Sequence, residues 1–321
     1  MMHSVRTKIG AVVIGRNEGT RLADALRSLS VIDGTIVYVD SGSTDDSLNI
    51  ARQSGAIIVE LDMRQNFSAA RARNAGWTVL AEQDIDFVQF IDGDCCLVEG
   101  WIDVAAQFLT DNSDAAVVCG RRRERFPDAS VYNRLIDKEW DTPVGDTMAC
   151  GGDALIRMSA LKEVGGYNPA LIAGEEPDMC FRMRDKGWRI HRLDHEMTLH
   201  DAAMTRFKQW TNRARRAGFS YAEGMWLHGA SPERYNVRQS LRALFWGCAL
   251  PTSIVIGLFV SPSALLLLLL WPVKILRLKA NGADWAEALF LTLGNLPEAY
   301  GILTFFQARI LARRQKIIEY K

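Results

Sequence analysis

The sequence predicts a doubly wound, mostly parallel α/β domain followed by a helical, membrane-associated region. Two observations carry this prediction. Short apolar runs alternate with segments of helical periodicity over the first ninety residues, which is typical of a parallel sheet with crossover helices. Further along, residues 243–273 form a stretch of 31 residues without a charged side chain. That stretch exceeds the ~20 residues needed to span a hydrocarbon core of ~30 Å.

Four strands and three helices are predicted in order along the N-terminal part. The first apolar run, residues 9–14, is closed by Gly15 and polar residues, as in a buried parallel strand. Later runs are rich in Ile, Val and Phe, and between them Leu and Ala recur at helical spacing. The predicted strands cover residues 9–14, 35–39, 56–61 and 87–91, and the predicted helices cover residues 20–29, 44–54 and 68–82.

Polar residues follow three of these strands directly. They are Gly15-Arg16-Asn17-Glu18, the run from Asp40 to Asp46, and Asp92-Gly93-Asp94. Each segment alone is compatible with a turn or a helix cap. In doubly wound sheets, however, ligands bind outside the carboxyl ends of the strands. The three segments together therefore indicate a ligand site at one edge of the sheet.

The formal charge is unevenly distributed along the chain. The 38 basic and 38 acidic side chains cancel, but residues 1–230 carry 27 basic and 33 acidic groups, and residues 231–321 carry 11 and 5. This neutrality argues against nucleic acid as a partner. The shift in composition places a domain boundary near residue 230. The six cysteines form no CxxC pair, which favours a reducing, cytosolic catalytic part, with Cys95 and Cys96 as buried small apolar residues.

The C-terminal region, residues 231–321, has two membrane interpretations. One is a hairpin with limbs at 241–260 and 263–280 and a Ser261-Pro262-Ser263 turn; the other is a single tilted or kinked span. Basic residues at both ends favour the hairpin, with both ends cytoplasmic. Residues 286–306 are expected to form an interfacial helix, and a buried helical subdomain of a soluble protein is the alternative for the whole region. The basic tail, suited to an anionic leaflet, contains Arg309, Arg313, Arg314 and Lys316.

An Asp-x-Asp pair at the end of a strand suits a hard divalent cation. Mn²⁺ or Mg²⁺ prefers oxygen ligands shared with a phosphate-bearing substrate, so Asp92 and Asp94 point to a nucleotide diphosphate. The cation would stabilise a departing diphosphate.

An ordered set of motifs resembles the family 2 glycosyltransferases of GT-A fold over about residues 8–220. The set comprises Gly15-Arg16-Asn17-Glu18, residues 40–45, residues 70–76, Asp92-Gly93-Asp94, residues 164–168 and residues 174–182. The resemblance implies that the nucleotide sugar is bound by Arg16, Asn17, Glu18, Asp40, Ser43 and Asp92, with Arg71, Arg73 and Asn74 near the diphosphate or supporting that pocket. It also implies a metal site of Asp92 and Asp94, with His200 at the place of a third ligand in some relatives.

The same resemblance places the general base in the pair Glu175-Glu176. The family usually has Glu-Asp at this point, so Glu176 inherits the role with a side chain one methylene longer. Glu175 or Asp178 are alternatives, because any of these carboxylates accepts a proton from a hydroxyl within ~3 Å. All three are also explained as acidic residues at the N-terminus of a predicted helix over Met179–Lys186.

Two basic clusters are compatible with either a binding role or a solvated surface. Arg213 and Arg216 belong to a stretch that would clamp the diphosphate from a mobile loop, since guanidinium groups match phosphate oxygens. The triplet Arg121-Arg122-Arg123 would contact the acceptor or lie on the surface.

The resemblance implies a metal-dependent, inverting transfer of a sugar from a nucleotide donor to a hydroxyl of a lipid-linked or cell-surface saccharide. We expect this activity at the cytoplasmic face of the cell membrane. Single-sugar transfer is favoured over polymerisation, because the Gln-x-x-Arg-Trp signature of processive synthases is reduced to Gln209-Trp210 with Arg213 nearby. Transfer to a polyprenyl phosphate and a non-catalytic membrane scaffold of the same fold are the alternatives, and a sugar-nucleotide pyrophosphorylase is less compatible with the first loop.

Overall fold

The computed structural model describes residues 7–65 and 67–311, which fold into two compact units. The first unit comprises the described residues up to Ala129 together with Ile136–Ala203. The second comprises Ser130–Leu135 and the described residues from Met204 onward. The predicted tail residues Arg313, Arg314 and Lys316 lie outside the described residues.

One mixed sheet forms the first unit. Its strands are β1 (Ile9–Gly15), β2 (Ile36–Asp40), β3 (Ile57–Glu60), β4 (Phe87–Asp92), β5 (Cys95–Leu97), β6 (Ala115–Glu124), β7 (Gly145–Asp146), β8 (Ala154–Arg157) and β9 (Arg189–His200). The order is β3-β2-β1-β4-β8-β6-β9-β5, and β7 pairs with β9. The first four strands in this order are parallel, while β8 runs antiparallel to both of its neighbours.

The helices connect these strands and then continue into the second unit. They are α1 (Thr20–Ser28), α2 (Ser47–Gln53), α3 (Ala69–Ala81), α4 (Trp101–Asp111), α5 (Val131–Glu139), α6 (Met158–Glu163), α7 (Glu175–Asp185), α8 (Phe207–His228), α9 (Val237–Leu244), α10 (Leu250–Leu258), α11 (Leu270–Ala280), α12 (Trp285–Leu293) and α13 (Asn295–Ile310). The predicted α/β class and its first four strands and three helices are confirmed.

The core of the first unit lies on both sides of the central strands. Ala11, Val12 and Val13 of β1 are fully buried, as expected for a strand covered on both faces. Gly76 lets α3 approach this strand closely, because a Cβ atom there would lie 2.3 Å from Cγ1 of Val12. This contact holds α3, which carries Arg71, Arg73 and Asn74, directly against the sheet.

Helix α7 begins four residues earlier than predicted. It starts at Glu175, after Gly174 with a φ of 78°, rather than at Met179. Pro177 lies in the first turn, where backbone amides have no acceptor within the helix, so proline is tolerated there. The two glutamates are therefore part of the helix and have fixed directions.

The second unit is helical, and it begins near residue 204 rather than near residue 230. The physical reason is the packing of α8 along α13. A Cβ atom at Gly218 would lie 1.9 Å from the carbonyl oxygen of Glu298, and the rings of Phe219 and Phe305 are 5.3 Å apart. Helix α8 therefore belongs to the C-terminal unit. The predicted boundary near residue 230 had placed it in the N-terminal part, because the change in charge composition comes after this helix.

Two helical runs in the described part of the chain are long and apolar enough to cross a membrane. They are Val237–Leu258 and Trp285–Ile310. The first overlaps the predicted limb 241–260. The predicted limb 263–280 instead comprises a 3₁₀ helix, Pro262–Leu269, and α11. The predicted interfacial helix 286–306 consists of α12 and α13, which meet at Gly294.

Candidate active site

The loops after β1 and β2 are joined by hydrogen bonds. Asn17 has a φ of 58°, and its amide donates to Oγ of Ser43 at 2.9 Å. In return, Oδ1 of Asn17 accepts from the amide of Thr44 at 2.7 Å. Ser47 accepts from the amide of Glu18 at 3.2 Å. The structure thus brings together Asn17, Glu18 and Ser43, three of the residues for which the family resemblance implies nucleotide binding.

Asp40 closes the loop that follows β2. Its Oδ2 accepts hydrogen bonds from the amides of Gly42 and Ser43 at 2.9 and 2.8 Å. The hydroxyl of Tyr38 donates to Oδ1 at 3.0 Å. Asp40 is buried, so these bonds fix its carboxylate and the shape of the loop.

Arg71 and Asn74 support the backbone around the site. The Arg71 guanidinium donates to the carbonyl oxygens of Asp62 and Gln65, each at 3.2 Å. Asn74 donates to the carbonyl of Tyr167 at 2.7 Å and accepts from its amide at 2.9 Å. Of the two roles expected for these residues, the contacts are those of pocket support.

Arg73 connects three carboxylates from separate elements. Its Nη2 lies 2.9 Å from Oδ1 of Asp92, and its Nη1 lies 3.0 Å from Oε1 of Glu175 and 2.8 Å from Oε1 of Glu176. Arg73 is only 2% exposed, and its guanidinium also lies 5.6 Å from the ring centroid of Tyr167. The structure therefore joins the first aspartate of the Asp-x-Asp motif to both glutamates through one cation.

The electrostatics of this cluster favour a proton acceptor. Burial raises the pKa of Glu176 to about 7, and the charge of Glu175 contributes in the same direction, although Arg73 opposes both. Burial alone would lower the pKa of Arg73, but the three carboxylates raise it well above its ordinary value. The Glu176 side chain as a whole is 15% exposed. A carboxyl that titrates near neutral pH is suited to general-base chemistry.

A buried ion pair that the sequence did not reveal lies behind Asp92. The Asp92 amide donates to Oδ1 of Asp153 at 3.1 Å, and Nη2 of Arg122 lies 2.8 Å from the same oxygen. Arg122 also lies 3.4 Å from Oδ2 of Asp92, and Thr198 donates to Asp153 at 2.7 Å. The pair thus holds the backbone and the side chain of Asp92 from behind.

The arginine triplet of β6 has divided roles. Arg122 is the inward member, whereas Arg121 lies 3.0 Å from Asp137, and Arg123 pairs with Glu196 at 2.7 Å on the surface. Register shifts on both sides of Arg121 interrupt the simple alternation of faces along β6, so periodicity alone does not predict this division.

Asp94 and His200 form a candidate metal site. Strand pairing places Cys95 opposite His200, so the neighbouring Asp94 lies with its Oδ1 3.4 Å from Nε2 of His200. Ligand atoms of Asp94, Cys95 and His200 all lie within 4.8 Å of one another. Burial raises the pKa of the Cys95 thiol well above its ordinary value, so the carboxylate and imidazole are the natural donors. This set fits Mn²⁺.

Asp92 lies in a second group of possible ligands. That group combines Asp92 with Cys95 and Asp153, and the Asp92 carboxylate already faces Arg73 and Arg122. Asp92 side-chain atoms are 26% exposed. The two aspartates of the motif therefore have different surroundings, with His200 beside Asp94 and arginines beside Asp92.

The remaining predicted residues have other surroundings. Asp178 accepts from Nε of Arg182 at 2.9 Å, and Arg182 donates to the carbonyls of Val164 and Gly166, so this pair shapes a loop. The guanidinium of Arg16, an exposed residue, lies 5.7 Å from the ring centroid of Phe67. Arg213 and Arg216 are on α8, within the second unit.

A family model matches the N-terminal part of the chain. Residues 11–165 match the family model described as Glycosyl transferase family 2. This part of the chain, just under half of its length, therefore resembles a family 2 glycosyltransferase domain. The match begins within β1 and ends ten residues before Glu175, so it includes both aspartates of the Asp-x-Asp motif.

Curated relatives share only part of their length with this chain. It is 29% identical over 206 residues to the pre-mycofactocin glycosyltransferase of Mycobacterium tuberculosis, which covers 60% of this chain and 42% of that relative. It is 25% identical over 186 residues to the succinoglycan biosynthesis protein ExoA of Rhizobium meliloti, with 54% and 56% covered. The chain therefore spans less than two thirds of these relatives.

Solved structures show that this chain has the predicted GT-A fold. The mannosyltransferase PcManGT from Pyrobaculum calidifontis, in complex with GDP-Man and Mn²⁺, has a TM-score of 0.65 at 17% identity, covering 94% of this chain and 88% of that one. S. aureus TarS 1-349 has a TM-score of 0.50 at 16% identity, with 96% and 92% covered.

Proposed function

We propose that this glycosyltransferase transfers one sugar from a nucleoside diphosphate sugar, with inversion, to a hydroxyl of a lipid-linked or cell-surface saccharide. The transfer takes place at the cytoplasmic face of the cell membrane and depends on Mn²⁺ or Mg²⁺. The observation that carries the proposal is Arg73, whose guanidinium lies 2.9 Å from Asp92 and 2.8 Å from Glu176. It joins the residue proposed to bind the donor to the proposed base.

Inversion follows from a single displacement. The acceptor oxygen forms a bond to the anomeric carbon as the bond from that carbon to the diphosphate breaks, and the hydroxyl proton passes to Glu176. The nucleoside diphosphate departs with the bonding electrons. Glu176, whose pKa burial raises to about 7, is available as the unprotonated base at neutral pH.

Arg73 and Asp153 act in this scheme by positioning. Arg73 holds Glu176 and Asp92 at fixed separation, and Asp153 fixes the Asp92 amide at 3.1 Å. A divalent cation bound by Asp94 and His200 would supply positive charge beside the departing diphosphate. PcManGT, which shares the fold, was solved with GDP-Man and Mn²⁺, and this supports the proposed donor class and cation.

Donor turnover by the full-length protein tests the function. We expect release of nucleoside diphosphate from at least one of a panel of GDP-, UDP- and dTDP-sugars with Mn²⁺, using water as the acceptor. Glu176→Gln should lower this rate by about 10²–10⁴-fold, because the variant lacks the proton acceptor. Glu196→Gln, which alters an exposed ion pair on the same unit, is the matched control and should retain the rate.

A lipid phosphate acceptor and a binding measurement distinguish the two alternatives. A polyprenyl-phosphate acceptor needs no deprotonation, so Glu176→Gln would then retain most of its activity with a lipid phosphate. A non-catalytic scaffold would neither hydrolyse a donor nor bind any nucleoside diphosphate in a Mn²⁺-dependent manner, as measured by calorimetry. Either outcome would contradict the mechanism above.

A further inference from the structure

The uncharged residues 243–273, here called the apolar hairpin, fold back on themselves in the second unit. The first limb ends with α10, and the second begins with the 3₁₀ helix Pro262–Leu269. The limbs touch closely, since a Cβ atom at Gly257 would lie 2.8 Å from Cβ of Ala264. Phe259 and Val260 at the apex are 89% and 87% exposed.

The apex satisfies its backbone donors internally. The amides of Phe259, Val260 and Ser261 donate to carbonyls of the preceding turn at 2.8–3.1 Å. Ser263 donates its amide to Oγ of Ser261 at 3.3 Å, and the two hydroxyl oxygens are 2.9 Å apart. Residue 262 is proline and has no amide. In hydrocarbon an unsatisfied amide costs several kcal/mol, so this arrangement is compatible with an apex in lipid.

Charged and aromatic side chains lie together at the open end of the apolar hairpin. Nζ of Lys274 lies 4.6 Å from the ring centroid of Trp246, which joins the bases of the two limbs. Nζ of Lys279 lies 5.9 Å from the ring of Trp285. Such pairs suit the headgroup level of a membrane. Residues 247–270 contain neither Trp nor Tyr nor a charged residue, so the apex has no corresponding anchor.

The uncharged part of each limb is too short to place the apex at the opposite interface, although the whole run Val237–Leu258, which includes Arg238 and Arg242, is long enough to cross. From Arg242 to Phe259 a helix rises about 26 Å at ~1.5 Å per residue. From Pro262 to Lys274, a 3₁₀ segment followed by α helix rises roughly 22 Å. A hydrocarbon core is ~30 Å thick. An apex ending short of the far side would leave Phe259 and Val260 in hydrocarbon.

The second candidate span, Trp285–Ile310, has a charged neighbour. Its α13 packs along α8, and a Cβ atom at Gly301 would lie 2.0 Å from the carbonyl of Arg215. The Arg215 guanidinium lies 4.7 Å from the ring of Tyr300 on α13. Helix α8 also carries Lys208, Arg213, Arg216 and Glu223, which are too costly for the bilayer centre. This packing favours α13 outside the hydrocarbon core.

We propose that the apolar hairpin is a re-entrant anchor, which enters the bilayer from the cytoplasmic side and ends within the hydrocarbon core. Lipid covers the exposed apolar side chains of the hairpin, and the hairpin does not cross the membrane. The inference rests on the membrane association proposed above and deepens it. A re-entrant anchor differs from the hairpin predicted from the sequence, in which each of the two limbs crosses the membrane.

Labelling of a single apex cysteine tests the topology. Val260→Cys in the full chain is treated with a membrane-impermeant maleimide in right-side-out and inside-out vesicles, with the unchanged protein as the background control. We expect no added label from either side, but full labelling after solubilisation in detergent. Ala283→Cys, located after α11, is the matched control and should be labelled in inside-out vesicles only.

Each contrary outcome identifies a different arrangement. Labelling of Val260→Cys in right-side-out vesicles would mean that the hairpin crosses; the re-entrant anchor would be wrong and the membrane association would stand. A chain that remains in the soluble fraction after detergent-free lysis would contradict both. Disulfide-linked dimers of the Val260→Cys protein in that soluble fraction would mean that a second copy covers the apex.

Membrane retention after an alkaline carbonate wash gives an independent readout. Phe259→Asp should move most of the protein to the supernatant, because it places a charge in hydrocarbon. Val31→Asp, at an exposed apolar position of the first unit, should remain with the membrane like the unchanged protein. Equal retention of both variants would contradict the proposal.

Discussion

One guanidinium nitrogen of Arg73 lies 2.8 Å from the carboxylate of Glu176. The same guanidinium, which is buried, also lies 2.9 Å from Asp92 and 3.0 Å from Glu175. Arg73→Met would leave these carboxylates without their common cation, so we expect a loss of about 3–5 kcal/mol in the free energy of unfolding. Urea denaturation followed by circular dichroism measures this loss.

The control for Arg73→Met is Arg123→Met, which breaks an exposed pair and should change stability by less than about 1 kcal/mol. Arg73→Lys keeps one charge and is expected to lie between these values. Equal stability of Arg73→Met and the unchanged protein would mean that Arg73 is not the electrostatic centre of the cluster.

The rate of transfer should depend on pH through Glu176. Burial raises the pKa of this group to about 7, so the unprotonated base is scarce at pH 5 and predominates at pH 8. We expect kcat/KM to rise about tenfold per pH unit below 7 and to level off above it, because kcat/KM reports groups of the free enzyme. A rate independent of pH between 5 and 8 would exclude Glu176 as the base.

Gly152 and Gly151 provide a matched pair of substitutions beside Asp92. A Cβ atom at Gly152 would lie 2.7 Å from Nη2 of Arg73 and 2.8 Å from Oδ2 of Asp92, whereas a Cβ atom at Gly151 meets nothing within 4 Å. Gly152→Ala should therefore displace Asp92 and lower kcat/KM at least tenfold, while Gly151→Ala should retain activity. Calorimetric titration with the donor distinguishes lost binding from a slower chemical step.

The candidate metal site predicts that substitution of His200, but not of His195, weakens Mn²⁺ binding. His200→Ala removes the imidazole that lies 3.4 Å from Asp94, and we expect the affinity for Mn²⁺ to fall at least about tenfold. Removal of metal with EDTA should abolish turnover in the unchanged protein, and Mn²⁺ should restore it. His195, whose Nδ1 lies 2.7 Å from the carbonyl of Glu196, is the control position. Identical Mn²⁺ titrations for His200→Ala and His195→Ala would contradict the assignment.

The sequence predicted the elements whose signals are local. The strands and helices up to β4 were identified because apolar periodicity and turn residues define them within a few positions. The loop residues at the carboxyl ends of these strands were expected to lie near one another, and the structure links Asn17 to Ser43 and Thr44. Parallel pairing of neighbouring strands makes such an inference possible.

Other features depend on long-range pairing, which periodicity does not reveal. Asp153 reaches the Asp92 amide because β8 pairs antiparallel with β4, although the two residues are 61 positions apart. The role of Asp178 depended on where α7 begins. With the helix starting at Glu175, Asp178 faces Arg182 four residues later, and the two glutamates contact Arg73. Tertiary packing determines these directions.

The hydrogen bonds that join Asn17 to Ser43 and Thr44 have a kinetic consequence. The two loops are already joined before any nucleotide binds. Binding would therefore restrict few further groups, and the entropic cost of binding would be small. The nucleoside diphosphate product would bind with the same small entropic cost as the donor. We therefore expect product inhibition, with turnover governed by how fast the spent nucleotide leaves or is degraded.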